Sequence, residues 1–190
     1  MTIVYHVDRV TNRIAEGQLI DLIWGKDQIQ DKTNRADLYL ELFSEGVSYH
    51  GWNYLLNRNR PVPSQDTLGM IEIITEQVRR VSYPERLSRF QAFFSFSSVT
   101  DAKRFIELYP VTMSDKSKQN QGIIWEVEVN KIDFEGDMHG LSLGESWIDC
   151  LVRINTYWQG RNTNSPLREL LIRPPVRIIR QAKVVLLRKF

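Results

Sequence analysis

The segment that decides the fold is Pro166-Leu-Arg-Glu-Leu-Leu-Ile-Arg-Pro-Pro-Val-Arg-Ile-Ile179. Its apolar run from Leu170 to Ile172 predicts a strand with at least one buried face. Pro174 and Pro175 predict the end of that strand, because proline cannot donate a hydrogen bond to a sheet. Glu169 stands at the start of the strand, where a rigid backbone can hold a carboxylate towards a cleft. Taken alone, the segment allows Glu169 to be either a solvated strand-end carboxylate or a functional acid.

The composition indicates the broad class of protein. A chain of 190 residues is most simply one domain, here 1–190 with a helical insertion at about 35–85. It is long enough to bury a core without a metal or a disulfide. Cys150 is the single cysteine, which excludes an internal disulfide and fits a reducing compartment. Because the chain has neither an apolar run of about 20 residues nor a signal-peptide pattern at its start, we expect a cytoplasmic protein without a membrane partner.

The positive charge is concentrated at the end of the chain. The formal net charge is +2, yet the region 168–190 contains seven basic residues and one acid. A basic region beside the candidate Glu169 would attract a phosphate-bearing ligand or a nucleic acid. It could equally meet an acidic protein, or simply solvate the outer face of edge strands and discourage aggregation. These interpretations stay open.

The hydrophobic periodicity predicts an α+β fold with five or six strands in an antiparallel or mixed sheet. Strands are predicted over Ile3 to Arg9, Arg89 to Ser97 and Gly122 to Asn130, with one or two more after Glu169. Helices are predicted over about Thr67 to Val81, Asp101 to Tyr109 and Glu145 to Trp158, with Asp66 or Ser64 and Ser98 or Thr100 as caps of the first two.

Two details of this prediction bear on the site. The segment from Gly136 to Gly140 has the composition of a turn. The helix from Glu145 to Trp158 is predicted to bury one stripe of apolar side chains. That stripe is Trp147, Ile148, Leu151, Ile154 and Trp158.

Several familiar kinds of site are missing from the sequence. It contains no glycine-rich dinucleotide fingerprint, no phosphate-binding loop and no nucleophile elbow. Its histidines, His6, His50 and His139, lie far apart in the chain and lack the spacing of zinc ligands. We therefore predict no metal. Recognised DNA-reading modules are also absent.

Three motifs, taken in order, carry a resemblance to a known group of proteins. VYHVDRVTNRIAEGQLI (4–20) is a tyrosine-histidine strand followed by a short helix and a glycine. LSRFQAFFSFSSVTDAKRF (87–105) is an arginine-led aromatic strand followed by a helix. ELLIRPPVRII (169–179) is a glutamate that leads one apolar strand into another. This order resembles the ADP-ribosyltransferase-like superfamily, and its middle motif is similar to the DarT-like and RNA 2′-phosphotransferase-like branches. The chain also resembles a little-characterised bacterial and phage family, through Tyr5 to Arg9, Ser88-Arg89 and Asp137-Met138.

The resemblance implies a split, curved sheet with NAD bound as substrate in a cleft between the two halves. Glu169 would bind the 2′-hydroxyl of the nicotinamide ribose and stabilise the oxocarbenium-like ribose that forms when nicotinamide leaves. The remaining implied contacts are His6 to the adenosine ribose, Arg9 and Arg89 to the diphosphate or the acceptor, Phe93 or Phe94 near the nicotinamide, and Ser95 or Ser97 supporting the glutamate or the ribose. Asp8 departs from the pattern, since relatives often carry threonine there, and a carboxylate would repel a diphosphate unless Arg9 neutralises it.

Three functions follow from these observations and stay open. The first is an NAD-dependent ADP-ribosyltransferase, such as a toxin or a bacterial or phage effector, that modifies a protein or a nucleic acid. The second is a non-catalytic module that binds nucleotides or nucleic acid, with His6 and Glu169 structural. The third is an RNA 2′-phosphotransferase-like enzyme, for which more arginines should converge on a phosphate. The first depends on His6 and Glu169 reaching the same cleft.

Overall fold

The computed structural model of the protein describes residues 1–9, 13–23, 41–57, 61, 65–109 and 122–182. Within these ranges the chain forms seven strands and four α-helices. The strands are β1 (Thr2–Asp8), β2 (Leu19–Ile20), β3 (Phe93–Ser95), β4 (Ile123–Val129), β5 (Phe134–Asp137), β6 (Arg168–Ile172) and β7 (Val176–Gln181). The helices are α1 (Tyr49–Leu55), α2 (Thr67–Ser82), α3 (Val99–Leu108) and α4 (Trp147–Trp158). The predicted α+β class is confirmed.

The strands form two antiparallel sheets, one in the order β1-β4-β7-β2 and the other in the order β3-β6-β5. Strand β1 pairs with β4 along its whole length, from Thr2 opposite Val129 to Asp8 opposite Ile123. The two sheets meet where Tyr5 and Phe96 exchange both backbone hydrogen bonds, at 2.9 and 2.8 Å. This bridge places the middle of β1 beside the end of β3.

The largest apolar cluster joins both sheets. In strand β4, Trp125, Val127 and Val129 are buried while Glu126 and Glu128 are not. Opposite these side chains lie apolar residues of β3, β6 and β7, so the core is shared between the sheets. Its buried members are Val4, Ile14, Phe93, Trp125, Val127, Val129, Leu170, Ile172, Val176 and Ile178.

The helix starts follow the predicted capping chemistry. Asp66 caps α2, where its carboxylate accepts a hydrogen bond from the backbone N–H of Gly69 at 2.9 Å. Ser98 caps α3 in the same way, through the N–H of Asp101 at 3.1 Å. Each cap satisfies one backbone donor that the first turn of a helix leaves unpaired.

The predicted strand from Arg89 to Ser97 is much shorter in the structure, where β3 covers only Phe93–Ser95. The preceding residues form a turn, in which the N–H of Gln91 donates to the carbonyl of Ser88 at 2.9 Å. The turn buries the side chain of Arg89, which reaches carboxylates of two other elements. That ionic contact outweighs the strand preference of the aromatic run.

The predicted turn over Gly136 to Gly140 was also wrong in its first half. The chain continues as β5 to Asp137, and only Met138–Gly140 turns, as a short 3₁₀ helix. Strand β5 pairs with β6, so that Gly136 lies opposite Glu169. This unpredicted strand and the two-residue β2 account for a strand count above the predicted five or six.

Helix α4 is rotated relative to its predicted buried stripe. Of that stripe, Ile154 and Trp158 are buried as predicted, whereas Trp147 and Ile148 are 68% and 69% exposed. Two polar contacts fix the rotation: the hydroxyl of Tyr157 reaches a buried carboxylate, and Nε1 of Trp158 donates to the carbonyl of Thr75 at 3.0 Å. Cys150, Ile154, Tyr157 and Trp158 form the buried face.

Helices α1 and α2 belong to the predicted insertion at about 35–85, whose residues 35–40, 58–60 and 62–64 lie outside the described ranges. The division of 1–190 into one domain with an insertion stays a prediction. No helix in the described ranges is both long and apolar enough to cross a membrane.

Candidate functional site

Residues of β1, β3, β6, α1 and α3 line a cavity of about 360 Å³. This volume falls within the range of about 300–1,000 Å³ that is typical of small-molecule sites. Both His6 and Glu169 are among its lining residues, although they come from opposite ends of the chain and from different sheets. The pairing of the two sheets near Tyr5 and Phe96 explains how the fold brings them together.

Six of the eight predicted site residues line this cavity, and two do not. Ser95 is fully buried, and its Oγ has no hydrogen-bond partner within the described ranges. Ser97 is exposed, and its Oγ lies 3.4 Å from a carboxylate oxygen of Asp101 on α3. The six that line the cavity are His6, Arg9, Arg89, Phe93, Phe94 and Glu169.

Glu169 is 2% exposed and is anchored through one of its two carboxylate oxygens. Its Oε1 accepts a hydrogen bond from the hydroxyl of Tyr157 at 2.8 Å and another from Nη1 of Arg89. In the part of the chain that the structure describes, Oε2 has no hydrogen-bond partner. The carboxylate is therefore fixed in orientation while one oxygen stays available to a ligand.

Arg89 is the centre of a buried ionic cluster. Its Nε and Nη2 donate to both carboxylate oxygens of Glu72 at 2.8 and 2.9 Å, the bidentate geometry that suits a guanidinium. Its Nη1 contacts Glu169 and also donates to the hydroxyl of Tyr157 at 2.8 Å. One guanidinium thus meets two carboxylates, which leaves the cluster with an excess of one negative charge.

The cluster holds Arg89 and Glu72 in their charged states and Tyr157 in its donating state. Burial acts to lower the pKa of Arg89, but the carboxylates of Glu169 and Glu72 hold that pKa well above its usual value. Burial acts to raise the pKa of Glu72, but Arg89 and His50 hold it well below its usual value. Burial raises the pKa of Tyr157 well above its ordinary range, with a further contribution from Glu169. Tyr157 consequently stays protonated and donates to Glu169.

His6 presents an acceptor to the cavity. Its Nδ1 lies 2.6 Å from the carbonyl oxygen of Phe94, which can only accept, so we assign the proton to Nδ1. Burial lowers the pKa of His6 to about 4, and the ring is neutral at pH 7. Its buried Nε2 has no hydrogen-bond partner among the described residues. The lone pair on Nε2 is therefore suited to a ligand hydroxyl.

Arg9 and Arg13 add positive charge to the cavity wall. Arg9 stacks on the ring of Phe105 at 5.5 Å, and burial lowers its pKa. No carboxylate within the described ranges forms an ion pair with Arg9. Asp8 is approached instead by Arg13, whose Nη2 lies 3.4 Å from its Oδ1. Arg13, and not Arg9, is thus the arginine that the described ranges place near Asp8, so the positive charge of Arg9 can meet an anionic ligand.

Aromatic rings complete the wall between the charged groups. The guanidinium of Arg89 lies 4.8 Å from the ring centre of Phe94. On α1, the imidazole of His50 lies 4.6 Å from the rings of both Phe94 and Tyr54. Phe93 contacts the ring of His6 at 4.4 Å. Flat apolar surfaces of this kind suit a planar heterocycle.

Sequence reasoning missed three residues of this site: Glu72, Tyr157 and His50. A signal for Glu72 was present, because Glu72 and Glu76 are one helical turn apart beside the apolar Ile71, and a buried acid needs a basic partner. Tyr157 follows Ile154 by three residues, a helical spacing, but the buried stripe was assigned one face away. His50 carried no local signal, since only the tertiary packing of α1 places it here.

Within the described ranges, no three side chains of histidine, cysteine, aspartate or glutamate are grouped to hold a metal ion. The polar side chains of the cavity include the neutral imidazole of His6, the carboxylate of Glu169 paired with Arg89, and Arg9. Such a set suits an organic ligand with hydroxyl and anionic groups.

The comparisons with known proteins give a family but no activity. A search of curated proteins found no match to the chain. One family model, described as "Protein of unknown function (DUF2441)", matches residues 4–184. The matched span includes His6, Arg9, Arg89 and Glu169. The chain therefore belongs to the DUF2441 family of proteins of unknown function.

Proposed function

We propose that the protein is an NAD-dependent ADP-ribosyltransferase with an ADP-ribosyltransferase-like fold. In this proposal NAD binds in the cavity between the two sheets, nicotinamide leaves, and ADP-ribose passes to a protein or nucleic-acid acceptor. The observation that carries the proposal is that His6 and Glu169 line one cavity. Two antiparallel sheets that meet at the Tyr5–Phe96 bridge also agree with the split sheet that the resemblance implies.

Glu169 fits the central role because it is both anchored and available. Loss of nicotinamide leaves positive charge on the ribose, so an anion that is fixed nearby stabilises the transition state more than the ground state. The positive charge of Arg89 offsets the negative charge of Glu169. Glu72 binds the same guanidinium through Nε and Nη2 and adds a second negative charge. The excess negative charge of the cluster therefore favours a cationic ribose. Oε2 of Glu169 is the atom suited to accept the 2′-hydroxyl proton.

The rest of the cavity fits the other parts of NAD. The lone pair on Nε2 of His6 suits a hydroxyl of the adenosine ribose. Arg9 has a half-buried, cationic side chain that a diphosphate would pair. Phe94 is an aromatic side chain on the same cavity wall as Glu169, as a nicotinamide ring would need. Each contact is assigned from the donor or acceptor that the side chain presents.

The alternatives differ in how well the site supports them. An RNA 2′-phosphotransferase would need several arginines free to hold a phosphate. Of the arginines that the described part of the chain places on the cavity wall, Arg89 is held by two carboxylates and Arg13 is near Asp8. A non-catalytic nucleotide-binding module would use the same cavity, and only a measurement of turnover separates it from the proposed enzyme.

The basic region 168–190 was predicted to hold the acceptor, but carboxylates neutralise part of its positive charge. Arg168 pairs with Glu135, Arg173 with Glu45 and Arg180 with Glu126. Such exposed pairs also protect the outer face of a sheet. Residues 183–190 lie outside the described ranges. A role of this region in holding a protein or nucleic-acid acceptor stays a prediction. If the acceptor is a nucleic acid, its affinity for the protein should fall steeply as the salt concentration rises.

The decisive experiment incubates the purified protein with NAD and measures free nicotinamide. We expect wild-type protein to release nicotinamide, and Glu169→Gln to fold but to lose about 10²–10³ in rate, as expected for one preorganised electrostatic partner. The matched control is Glu135→Gln, which removes a half-exposed carboxylate outside the cavity and should keep the wild-type rate.

Two results would contradict the proposal. Wild-type protein that binds NAD without releasing nicotinamide would be a binding module. A folded Glu169→Gln protein that retains the full rate of release would remove the carboxylate from the mechanism. Circular dichroism of each variant separates loss of activity from loss of fold.

A further inference from the structure

We infer that His50 is the general base that accepts the proton of the nucleophile when ADP-ribose is transferred. The inference rests on the proposed function and adds to it a second catalytic residue, outside all three motifs of the sequence. It concerns the second half of the reaction, in which a hydroxyl, an amine or water attacks the ribose. Proton transfer to a placed imidazole is a common way to assist such an attack.

The imidazole of His50 lies beside a carboxylate on the wall of the cavity. Its Nε2 is 3.3 Å from Oε2 of Glu72, near enough to lower the pKa of that carboxyl but outside ideal hydrogen-bond alignment. A carboxylate at this distance favours a proton on Nε2, which leaves the lone pair on Nδ1 to accept a proton. The side chain of His50 is 22% exposed, so a ligand can reach it.

His50 is close to the group that would stabilise the ribose. Glu72 binds Arg89 with both oxygens, and Arg89 contacts Glu169. The ring centre of Phe94 is 4.6 Å from that of His50 and 4.8 Å from the guanidinium of Arg89. One chain of contacts therefore connects the proposed base to the proposed electrostatic partner.

The fold fixes helix α1 and with it His50. The N–H of Ser48 donates to the carbonyl of Phe90 at 2.8 Å, at the start of the helix. A Cβ on Gly51 would lie 2.9 Å from the carbonyl carbon of Phe90 and closer still to its oxygen, so α1 approaches the Phe90 turn more closely than any larger residue permits. Because His50 precedes Gly51, this contact holds the imidazole against Phe94.

The charges of the cluster balance through the transfer. With neutral His50, one guanidinium faces two carboxylates, and the net negative charge favours the cationic ribose. The bond from the ribose to nicotinamide breaks with its electron pair going to the ring, which leaves neutral. The nucleophile then bonds to the ribose carbon and cancels its charge, while its proton passes to His50. The protonated imidazole now balances the second carboxylate.

A pH dependence of this step would depend on all charged groups near His50. Glu72 on α2 faces the imidazole directly, and Arg89 and Glu169 lie beyond it. Tyr54 on the same helix contacts its ring. The other titratable side chains on the cavity wall are His6, Arg9, Arg13, Asp21, Tyr49 and Tyr109.

The test compares His50→Asn with wild-type protein in NAD hydrolysis, where water is the nucleophile. We expect the Kd of NAD to change by less than about threefold and kcat to fall by about 10², the lower end for a general base. Azide carries no proton that must be removed, so it should restore nicotinamide release in His50→Asn at least tenfold. It should not restore Glu169→Gln, which lacks the electrostatic partner. In wild-type protein kcat should decline towards acid pH, and His50→Asn should lose that decline.

The control is His139→Asn, since His139 lies outside the cavity and should leave kcat and the pH profile unchanged. A His50→Asn protein with wild-type kcat would overturn the inference and leave the proposed function standing. If azide restored nicotinamide release in neither His50→Asn nor Glu169→Gln, the inference would also be overturned, because His50 would then only support the packing of the site. Wild-type protein without any nicotinamide release would overturn both proposals.

Discussion

His6 illustrates how burial sets the protonation state of one side chain and links it to stability. Its pKa is lowered from 6.5 to about 4 because the ring is buried. The unfolded chain therefore binds a proton at a higher pH than the folded protein, and protonation favours unfolding. We expect the contribution of His6 to the free energy of unfolding to be fully present above pH 6.5. It should be lost as the pH falls from 6.5 towards 4, and the total loss is about 3 kcal/mol.

Urea unfolding between pH 7 and pH 4.5 measures this effect. The free energy of unfolding of wild-type protein should fall across the window, whereas His6→Asn should give a flatter curve. The matched control is His139→Asn, which removes a histidine outside the cavity and should keep the fall that is due to His6. Parallel curves for wild-type protein and His6→Asn would show that His6 is not buried in its neutral form.

At the scale of elements, strands β5 and β6 and helix α4 meet at one glycine. Gly136 on β5 lies opposite Glu169 on β6. A Cβ at Gly136 would lie 2.5 Å from Cε2 of Tyr157 and 2.8 Å from Cε1 of Phe134. The glycine therefore makes room for the tyrosine ring whose hydroxyl holds Glu169.

We expect Gly136→Ala to lower the free energy of unfolding by about 1–3 kcal/mol, the usual cost of overpacking a core. It should also slow nicotinamide release, because a displaced Tyr157 no longer orients Glu169. Urea unfolding of the single variants and of Gly136→Ala combined with Tyr157→Leu gives a double-mutant cycle. Gly136→Ala should lower the free energy of unfolding clearly less in the Tyr157→Leu protein than in the wild type. Equal losses in the two proteins would contradict the proposed clash.

The same elements show what the sequence could and could not predict. The run from Leu170 to Ile172 and the prolines after it were enough to place a strand behind Glu169, and alternation placed β4. The sequence could not predict β5, because Gly136 is turn-like in isolation and strand-like only when Tyr157 covers it. Nor could it orient α4, since both of its faces carry apolar residues and the polar contacts of Tyr157 and Trp158 choose between them.

At the scale of the molecule, the site is assembled from parts that are distant in sequence. His6 lies in the four-stranded sheet, Glu169 in the three-stranded sheet, and Glu72 on helix α2. The motifs predicted His6 and Glu169 because each has a local pattern. They do not include Glu72 or His50, because only the folded chain brings Glu72 to Arg89 and His50 to Glu72. A ligand in the cavity would contact both sheets and should stabilise the whole fold.

This gives a last prediction, which concerns NAD and thermal unfolding. A ligand that binds only the folded protein stabilises it by about 2.7 kcal/mol at a concentration of 100 Kd. Arg9 is on the cavity wall without a carboxylate partner in the described ranges, and a charged hydrogen bond is worth about 1.5–3 kcal/mol. Arg9→Gln should therefore raise the Kd of NAD at least about tenfold and reduce the stabilisation at the same NAD concentration to about 1.4 kcal/mol.

Calorimetric titration and unfolding with and without NAD measure both quantities. Arg168→Gln is the control, since Arg168 pairs with Glu135 outside the cavity and should bind NAD as the wild type does. Adenosine, which has no diphosphate, should bind wild-type protein and Arg9→Gln with equal affinity, because the change removes only the anion partner. If Arg9→Gln bound both adenosine and NAD more weakly than the wild type, Arg9 would support the cavity wall and would not bind the diphosphate. If neither lost affinity, the diphosphate would lie elsewhere, and the arrangement of NAD across the two sheets would be wrong.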